Sequence, residues 1–123
     1  MKKILLIDDD LAFSEMLSEI LKDEGFDVLV EHDGLRGFER ATAEHPDLVM
    51  CDVMMPGMSG LELLKQLRDD QWGSTVPIIL LTNMTQPEAM AQMAQGSAHT
   101  ECLLKTDWTL DKLAEKLKVL LAV

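Results

Sequence analysis

The segment Leu48-Val49-Met50-Cys51-Asp52 decides the fold, because four apolar residues follow one another without alternation and end at a carboxylate. Unbroken apolar runs of this kind are typical of strands covered on both faces, as in parallel sheets. Comparable runs occupy residues 4–7 and 78–81, and shorter ones occupy residues 28–30 and 102–104. The chain is therefore predicted to contain five strands.

Helical patterns lie between these strands. Apolar residues recur at helical spacing between residues 13 and 21, and four further helices are predicted at 35–43, 61–67, 87–95 and 110–120. Gly25 is expected to end the first helix, Ser59 to cap the third, and Thr106 or Asp107 to cap the last. Five strands alternating with five helices predict an α/β fold. With right-handed crossovers, we expect a flavodoxin-like doubly wound five-stranded parallel sheet of order 2-1-3-4-5.

The composition suits a single domain, predicted over residues 1–123, with a formal net charge of -11. So acidic a surface argues against direct contact with nucleic acid or anionic membranes. No apolar stretch reaches the roughly 18 residues of a membrane span. The apolar run after Lys3 ends at Asp8, short of the roughly 7–15 residues of a signal peptide. We therefore expect a cytoplasmic protein without membrane insertion.

The two cysteines, Cys51 and Cys102, are expected to stay as thiols, and no metal-ligand spacing links them to the histidines. In the predicted strand order another strand lies between the two strands that carry them. Their backbones would then be roughly 10 Å apart, which is beyond the reach of a disulfide.

Residues able to do chemistry follow the apolar runs. Asp8 and Asp9 follow the first run, Asp52 ends the third, Thr82 the fourth and Lys105 the fifth. In a parallel sheet these ends share one edge, where ligand sites of open α/β folds form. Each residue alone is often structural, for example as a helix cap. Because the combination is far more specific, we expect these side chains to converge on one site.

Three neighbouring carboxylates repel one another and raise their pKa values unless a cation intervenes. Their hard oxygens, few in number, favour Mg²⁺. Asp52 could then act as a nucleophile and form an aspartyl phosphate. The metal and Lys105 would neutralise charge on the transferred group, and Thr82 could hydrogen-bond one of its oxygens.

The combination resembles the receiver domain of bacterial response regulators over essentially the whole chain. The stretches that carry the resemblance are residues 4–10 (ILLIDDD), 46–60 (PDLVMCDVMMPGMSG), 77–82 (PIILLT) and 103–105 (LLK). The resemblance implies that Asp52 is the phosphoacceptor and that Asp8 and Asp9 position Mg²⁺. It makes the backbone carbonyl of Met54 a further metal ligand. By the same resemblance, Thr82 matches the switch hydroxyl and Lys105 the lysine that pairs with the phosphoryl group.

The resemblance also implies partners. The phosphodonor would be a phosphohistidine on a sensor histidine kinase or phosphotransfer protein, and the receiver would control an output protein or output domain. The signalling face would involve the fourth and fifth predicted helices and the fifth strand. The function implied is a phosphorylation-dependent signalling switch and not an enzyme.

Several residues depart from the family pattern. Cys102 stands where the family often has an aromatic switch residue, Thr106 where it usually has a proline after a cis peptide, and Asn83 where a small residue is common. Met54 and Met84 resemble positions that tune attack by water on the phosphoryl group. Both are apolar and cannot orient a water, so we hypothesise slow self-dephosphorylation; alternatively, both side chains only cover the site.

Three other functions stay open at this point. A receiver-like binding module that is never phosphorylated fits Cys102 and Thr106. An aspartate-nucleophile phosphohydrolase is less favoured, because that class tends to need a second Asp two residues after the nucleophile, where this chain has Met54. A flavodoxin-like cofactor binder would favour stacking aromatic residues, whereas this sequence has no Tyr and its first loop is acidic.

Overall fold

A computed structural model of the protein describes residues 1–83 and 99–122. The strands of this part are β1 (Lys3–Ile7), β2 (Asp27–Glu31), β3 (Leu48–Asp52), β4 (Ile78–Thr82) and β5 (Thr100–Leu104). Its helices are α1 (Leu11–Asp23), α2 (Gly34–Glu44), α3 (Gly60–Asp69) and α4 (Leu110–Leu120). The helix predicted at residues 87–95 lies outside the described residues.

The five strands form one sheet in the order β2-β1-β3-β4-β5, and every pairing is parallel. This confirms the predicted flavodoxin-like strand order. Two apolar layers cover the sheet, one where α1 and α4 pack and one where α2 and α3 pack. Burial on both faces explains why β1, β3 and β4 are apolar at almost every position.

The helix ends show which local predictions were right. The Ser59 hydroxyl accepts a hydrogen bond from the Glu62 amide at 3.2 Å, as predicted, and α1 ends just before Gly25, whose φ is 96°. The predicted cap of the last helix was wrong, because Thr109 caps it. Residues Lys105–Asp107 form a 3-10 turn after β5, and the next residue is extended, so the helix begins later.

The two cysteines lie on separate strands and form no disulfide with each other. Cys51 of β3 is in register with Leu80 of β4, which is in register with Cys102 of β5. The intervening strand is the one predicted from the strand order. None of the helices in the described part of the chain has the length and hydrophobicity that crossing a bilayer requires.

Candidate functional site

The residues predicted to form a site lie at one edge of the sheet. Asp8 follows β1, and Asp52 is the last residue of β3. β1 and β3 are direct neighbours in the sheet, and Ile7 pairs with Cys51, which brings the two aspartates side by side. This is the switch point of the fold, where β1 connects to β2 on one side and lies beside β3 on the other.

Three carboxylates meet at this edge. One oxygen from each of Asp8, Asp9 and Asp52 lies within 4.8 Å of the others. Asp8 is fully buried and Asp52 is 7% exposed, whereas Asp9 is open to solvent. The set therefore offers hard oxygen donors on an accessible rim, the kind of ligand that a divalent cation such as Mg²⁺ takes.

Lys105 supplies the positive charge of the site. Its Nζ lies 2.8 Å from Asp8 Oδ2 and 3.6 Å from Asp52 Oδ2. Burial alone would lower the pKa of Lys105, but the hydrogen bond and charge of Asp8, together with the charge of Asp52, raise it above the ordinary value. Lys105 is therefore a fixed ammonium that neutralises part of the carboxylate charge.

The electrostatics of Asp52 differ from those of an ordinary aspartate. Burial raises its pKa to about 6, and the charge of Asp8 adds to this effect. Lys105 and the Met54 amide, which donates a hydrogen bond to Asp52 Oδ1 at 3.3 Å, act in the opposite direction. The net result is an anion that gains stability from any further positive charge that reaches it.

The chain beneath Asp52 is packed so tightly that a glycine is required there. A Cβ on Gly60, the first residue of α3, would lie 2.5 Å from the Asp52 carbonyl oxygen and 2.8 Å from Val53 Cα. The Gly60 amide also donates a hydrogen bond to the Val53 carbonyl at 3.0 Å. The start of α3 thus fixes the loop that carries Asp52.

The remaining predicted residues are found around the same edge. Thr82 ends β4, directly after the register partner of Asp52, and is fully buried. The side chain of Met54 is 64% exposed and that of Cys102 is half-buried. The described part of the chain contains no cis peptide, so the bond between Lys105 and Thr106 is trans. Met84 lies outside the described residues.

Two contacts of the site were missed at the sequence level. The Phe13 ring of α1 lies under the Lys105 ammonium, with 4.5 Å between Nζ and the ring centroid. His32 Nδ1 lies 3.0 Å from the Asp8 carbonyl oxygen. Phe13 belongs to an apolar helical stripe and so resembles an ordinary core residue, and His32 follows a strand other than those that carry the acidic residues.

Comparison with known proteins agrees with the geometry. A family model described as the response regulator receiver domain matches residues 4–118. The DNA-binding response regulator MtrA of Mycobacterium tuberculosis is 43% identical over 84 residues, covering 68% of this chain and 36% of that protein. Response regulator MprA of Mycobacterium ulcerans is 34% identical over 119 residues, covering 97% of this chain and 50% of that protein. The chain thus spans about a third to a half of these relatives.

Solved structures share the fold over nearly the full chain. The chemotaxis response regulator CheY4 of Vibrio cholerae has a TM-score of 0.86 at 31% identity, covering 97% of this chain and 98% of that one. The BeF3-activated N-terminal receiver domain of Klebsiella pneumoniae RstA has a TM-score of 0.84 at 32% identity, covering 96% of this chain and 97% of that one.

Proposed function

The chain belongs to the response regulator receiver domain family, and from that premise we propose that Asp52 accepts a phosphoryl group from a phosphohistidine with the help of Mg²⁺. The phosphorylated form would then control an output protein or output domain. One observation carries the proposal: oxygens of Asp8, Asp9 and Asp52 lie within 4.8 Å of one another beside the Lys105 ammonium.

The chemistry begins at the Asp52 carboxylate. One of its oxygens attacks the phosphorus, the P–N bond to the donor imidazole breaks, and the bonding electrons leave with the imidazole nitrogen. The product is an acyl phosphate on Asp52. Because the pKa of Asp52 is about 6, its nucleophilic anion predominates at neutral pH.

The charge balance of the site fits a divalent cation. Among the described residues, three carboxylates lie beside one ammonium, so negative charge remains in excess. Asp8, Asp9, Asp52 and the Met54 carbonyl would hold the ion; the Met54 amide already contacts Asp52. When bound, Mg²⁺ supplies positive charge that offsets the charge on the phosphoryl oxygens.

Two further residues would act on the phosphoryl group. The side chain of Lys105 is 12% exposed and its ammonium already lies near Asp52. It can therefore pair with a phosphoryl oxygen with little loss of conformational freedom. Thr82, buried at the end of β4, would donate a hydrogen bond from its hydroxyl to another phosphoryl oxygen. This contact would couple phosphorylation to the position of a buried side chain. Because Cys102 stands in place of an aromatic residue, the conformational change would reach β5 and α4 without rotation of an aromatic ring.

The partners follow from the same proposal. The donor would be a sensor histidine kinase or a phosphotransfer protein. The name of the MtrA relative describes a DNA-binding protein, but this chain covers only 36% of it. Contact with nucleic acid by the receiver itself is not proposed, since its formal charge is -11.

The test is labelling of the protein by a small phosphodonor such as phosphoramidate, followed by intact mass. We expect one phosphoryl group to be added in Mg²⁺, none in EDTA, and none in Asp52→Asn. Asp23→Asn, which changes an exposed aspartate at the end of α1, is the matched control and should label like the natural protein. Undiminished labelling of Asp52→Asn would contradict the proposal.

A receiver-like module that is never phosphorylated is the second candidate. It is favoured by Cys102 and Thr106, two departures from the family pattern next to the proposed site. It predicts no labelling of the natural protein, while binding to the output partner persists. A phosphohydrolase would instead turn over a phosphate ester, for which the exposed, apolar Met54 offers no acid where that class uses one.

A further inference from the structure

The Phe13 ring is placed to hold Lys105. Phe13 is the third residue of α1, and its backbone amide donates a hydrogen bond to Asp10 Oδ1 at 3.1 Å. The side chain is half-buried against the apolar layer under α1 and α4. The hydrogen bond at the start of α1 and the packing of the side chain together restrict the ring. Its face is therefore held in one position beside the site.

The Lys105 ammonium is bounded by three groups. Asp8 Oδ2 lies at 2.8 Å, Asp52 Oδ2 at 3.6 Å and the Phe13 ring centroid at 4.5 Å. The two carboxylates attract the ammonium, and so does the ring face, which carries negative electrostatic potential. A lysine has four flexible bonds between backbone and charge, so each of these contacts removes freedom that the ammonium would otherwise have.

From this geometry we propose that Phe13 is a positioning residue for phosphoryl transfer, whose ring face holds the Lys105 ammonium between Asp8 and Asp52 before the donor arrives. The proposal rests on the function proposed above. Phe13 itself touches no reacting atom. Its effect is to keep the ammonium in place, at a site where the lysine side chain is only 12% exposed.

A purely structural role for Phe13 makes a different prediction. Any apolar side chain of similar size would then serve, because only packing against the apolar layer would matter. A ring that acts through its face must instead lose its effect when fluorine atoms withdraw electron density, since fluorination changes the ring potential while leaving size and hydrophobicity nearly unchanged.

The experiment combines two substitutions with a series of fluorinated phenylalanines at position 13. Phe13→Leu is compared with Phe38→Leu, a half-buried phenylalanine of α2 that packs against the opposite face of the sheet. The first measurement is the rate of Mg²⁺-dependent labelling by phosphoramidate. The second is the NMR order parameter of Lys105 Cε in the unphosphorylated protein, which needs no phosphoryl transfer.

We expect Phe13→Leu to slow labelling about fivefold, the factor that corresponds to a partly desolvated cation–π contact. The order parameter of Lys105 Cε should fall in the same variant, and Phe38→Leu should change neither quantity. Mono-, di- and trifluorinated rings should lower both quantities stepwise. Those variants keep the packing of Phe13, so they test the proposal even where Phe13→Leu folds poorly.

Equal rates and equal order parameters across the fluorinated series would overturn the proposal, whatever Phe13→Leu does. Absence of labelling in the natural protein would instead count against the proposed function. In that case the order parameter still decides whether the ring positions the lysine, so the two failures are told apart.

Discussion

Arg68 and Lys105 are partly buried cations at opposite edges of the same sheet. At the edge where the strands begin, Arg68 donates hydrogen bonds to the carbonyls of Gly73, Val76 and His99 at 2.7–3.2 Å and to the Thr100 hydroxyl at 2.8 Å. At the edge where the strands end, Lys105 faces Asp8 and Asp52. Four neutral oxygens thus accept hydrogen bonds from Arg68, whereas two carboxylates face Lys105.

The pKa values of the two cations record this difference. Burial lowers the pKa of Arg68, whereas the anions around Lys105 raise its pKa despite burial. At the first edge, hydrogen bonds join the guanidinium to backbone carbonyls. The second retains excess negative charge and an exposed Asp9. The proposed site therefore depends on excess negative charge with open access, and not on the presence of a buried cation alone.

The largest effect is expected from substitution of Lys105, at the edge where the strands end. Lys105→Met removes the ammonium that would meet charge on the phosphoryl group, so Mg²⁺-dependent labelling should slow about 100-fold. Labelling rates with phosphoramidate measure this, and circular dichroism verifies the fold. Arg68→Met should label at the natural rate when assayed well below its melting temperature. If both variants were slowed equally, the distinction between the edges would fail.

The next effect concerns stability at the other edge. Arg68→Met removes the guanidinium donor from the carbonyls of Gly73 and Val76, whereas the His99 carbonyl keeps its hydrogen bond from the Ile78 amide. The free energy of unfolding should therefore fall by about 2–3 kcal/mol. Urea denaturation measures the loss. Lys65→Met, on an exposed position of the same helix, is the matched control and should change stability little. A loss as small as that of the control would show that these hydrogen bonds do not hold the edge together.

These two cations also show how much of the structure can be predicted from the sequence. The strand order was predictable, because unbroken apolar runs identify buried parallel strands. The proximity of Asp8, Asp52 and Lys105 was predictable too, because the ends of those strands share one edge. The role of Arg68 was not predictable, because a basic residue at the end of an amphipathic helix is usually exposed to solvent. Its partners lie in the loop before β4 and at the start of β5, which tertiary packing brings together.

Phe13 and Thr109 teach the same lesson on a smaller scale. Apolar spacing places Phe13 on the inner face of a helix without indicating that its ring contacts the ammonium of Lys105, in the turn after β5. The cap of α4 was expected at Thr106 or Asp107, but a 3-10 turn occupies those positions. Such details depend on how the chain leaves a strand, for which side-chain patterns carry little information.

A smaller effect follows from the raised pKa of Asp52. In the folded protein, burial raises the pKa of Asp52 from 3.8 to about 6. Stability in EDTA should therefore rise as pH falls from 7.5 through 6 and level off below about 4. Allowing for solvent screening, Asp52→Asn should stabilise the protein at pH 7.5 by about 2 kcal/mol.

Urea denaturation of both proteins between pH 4.5 and 7.5 checks this expectation. The difference between them should shrink toward low pH, because the natural side chain is then protonated too. Asp23→Asn should show no such pH-dependent difference. A constant difference across the range would mean that protonation of Asp52 is not linked to folding and would contradict this prediction.

The smallest effect concerns water at the open edge. Met54 is 64% exposed and its amide contacts Asp52, so its side chain lies beside any phosphoryl group at that position. A thioether cannot orient a water molecule, whereas an amide can both donate and accept. Met54→Asn should therefore shorten the half-life of the phosphorylated protein about fivefold, the factor of roughly one added hydrogen bond.

The measurement is the decay of phosphorylated protein by intact mass after the donor is removed, in Mg²⁺. Met16→Asn, which changes an exposed methionine of α1, is the control and should leave the half-life unchanged. An unchanged or longer half-life in Met54→Asn would mean that the side chain only covers the site. A shorter half-life would show that the apolar Met54 side chain limits attack by water and so prolongs the lifetime of the phosphoryl group on Asp52.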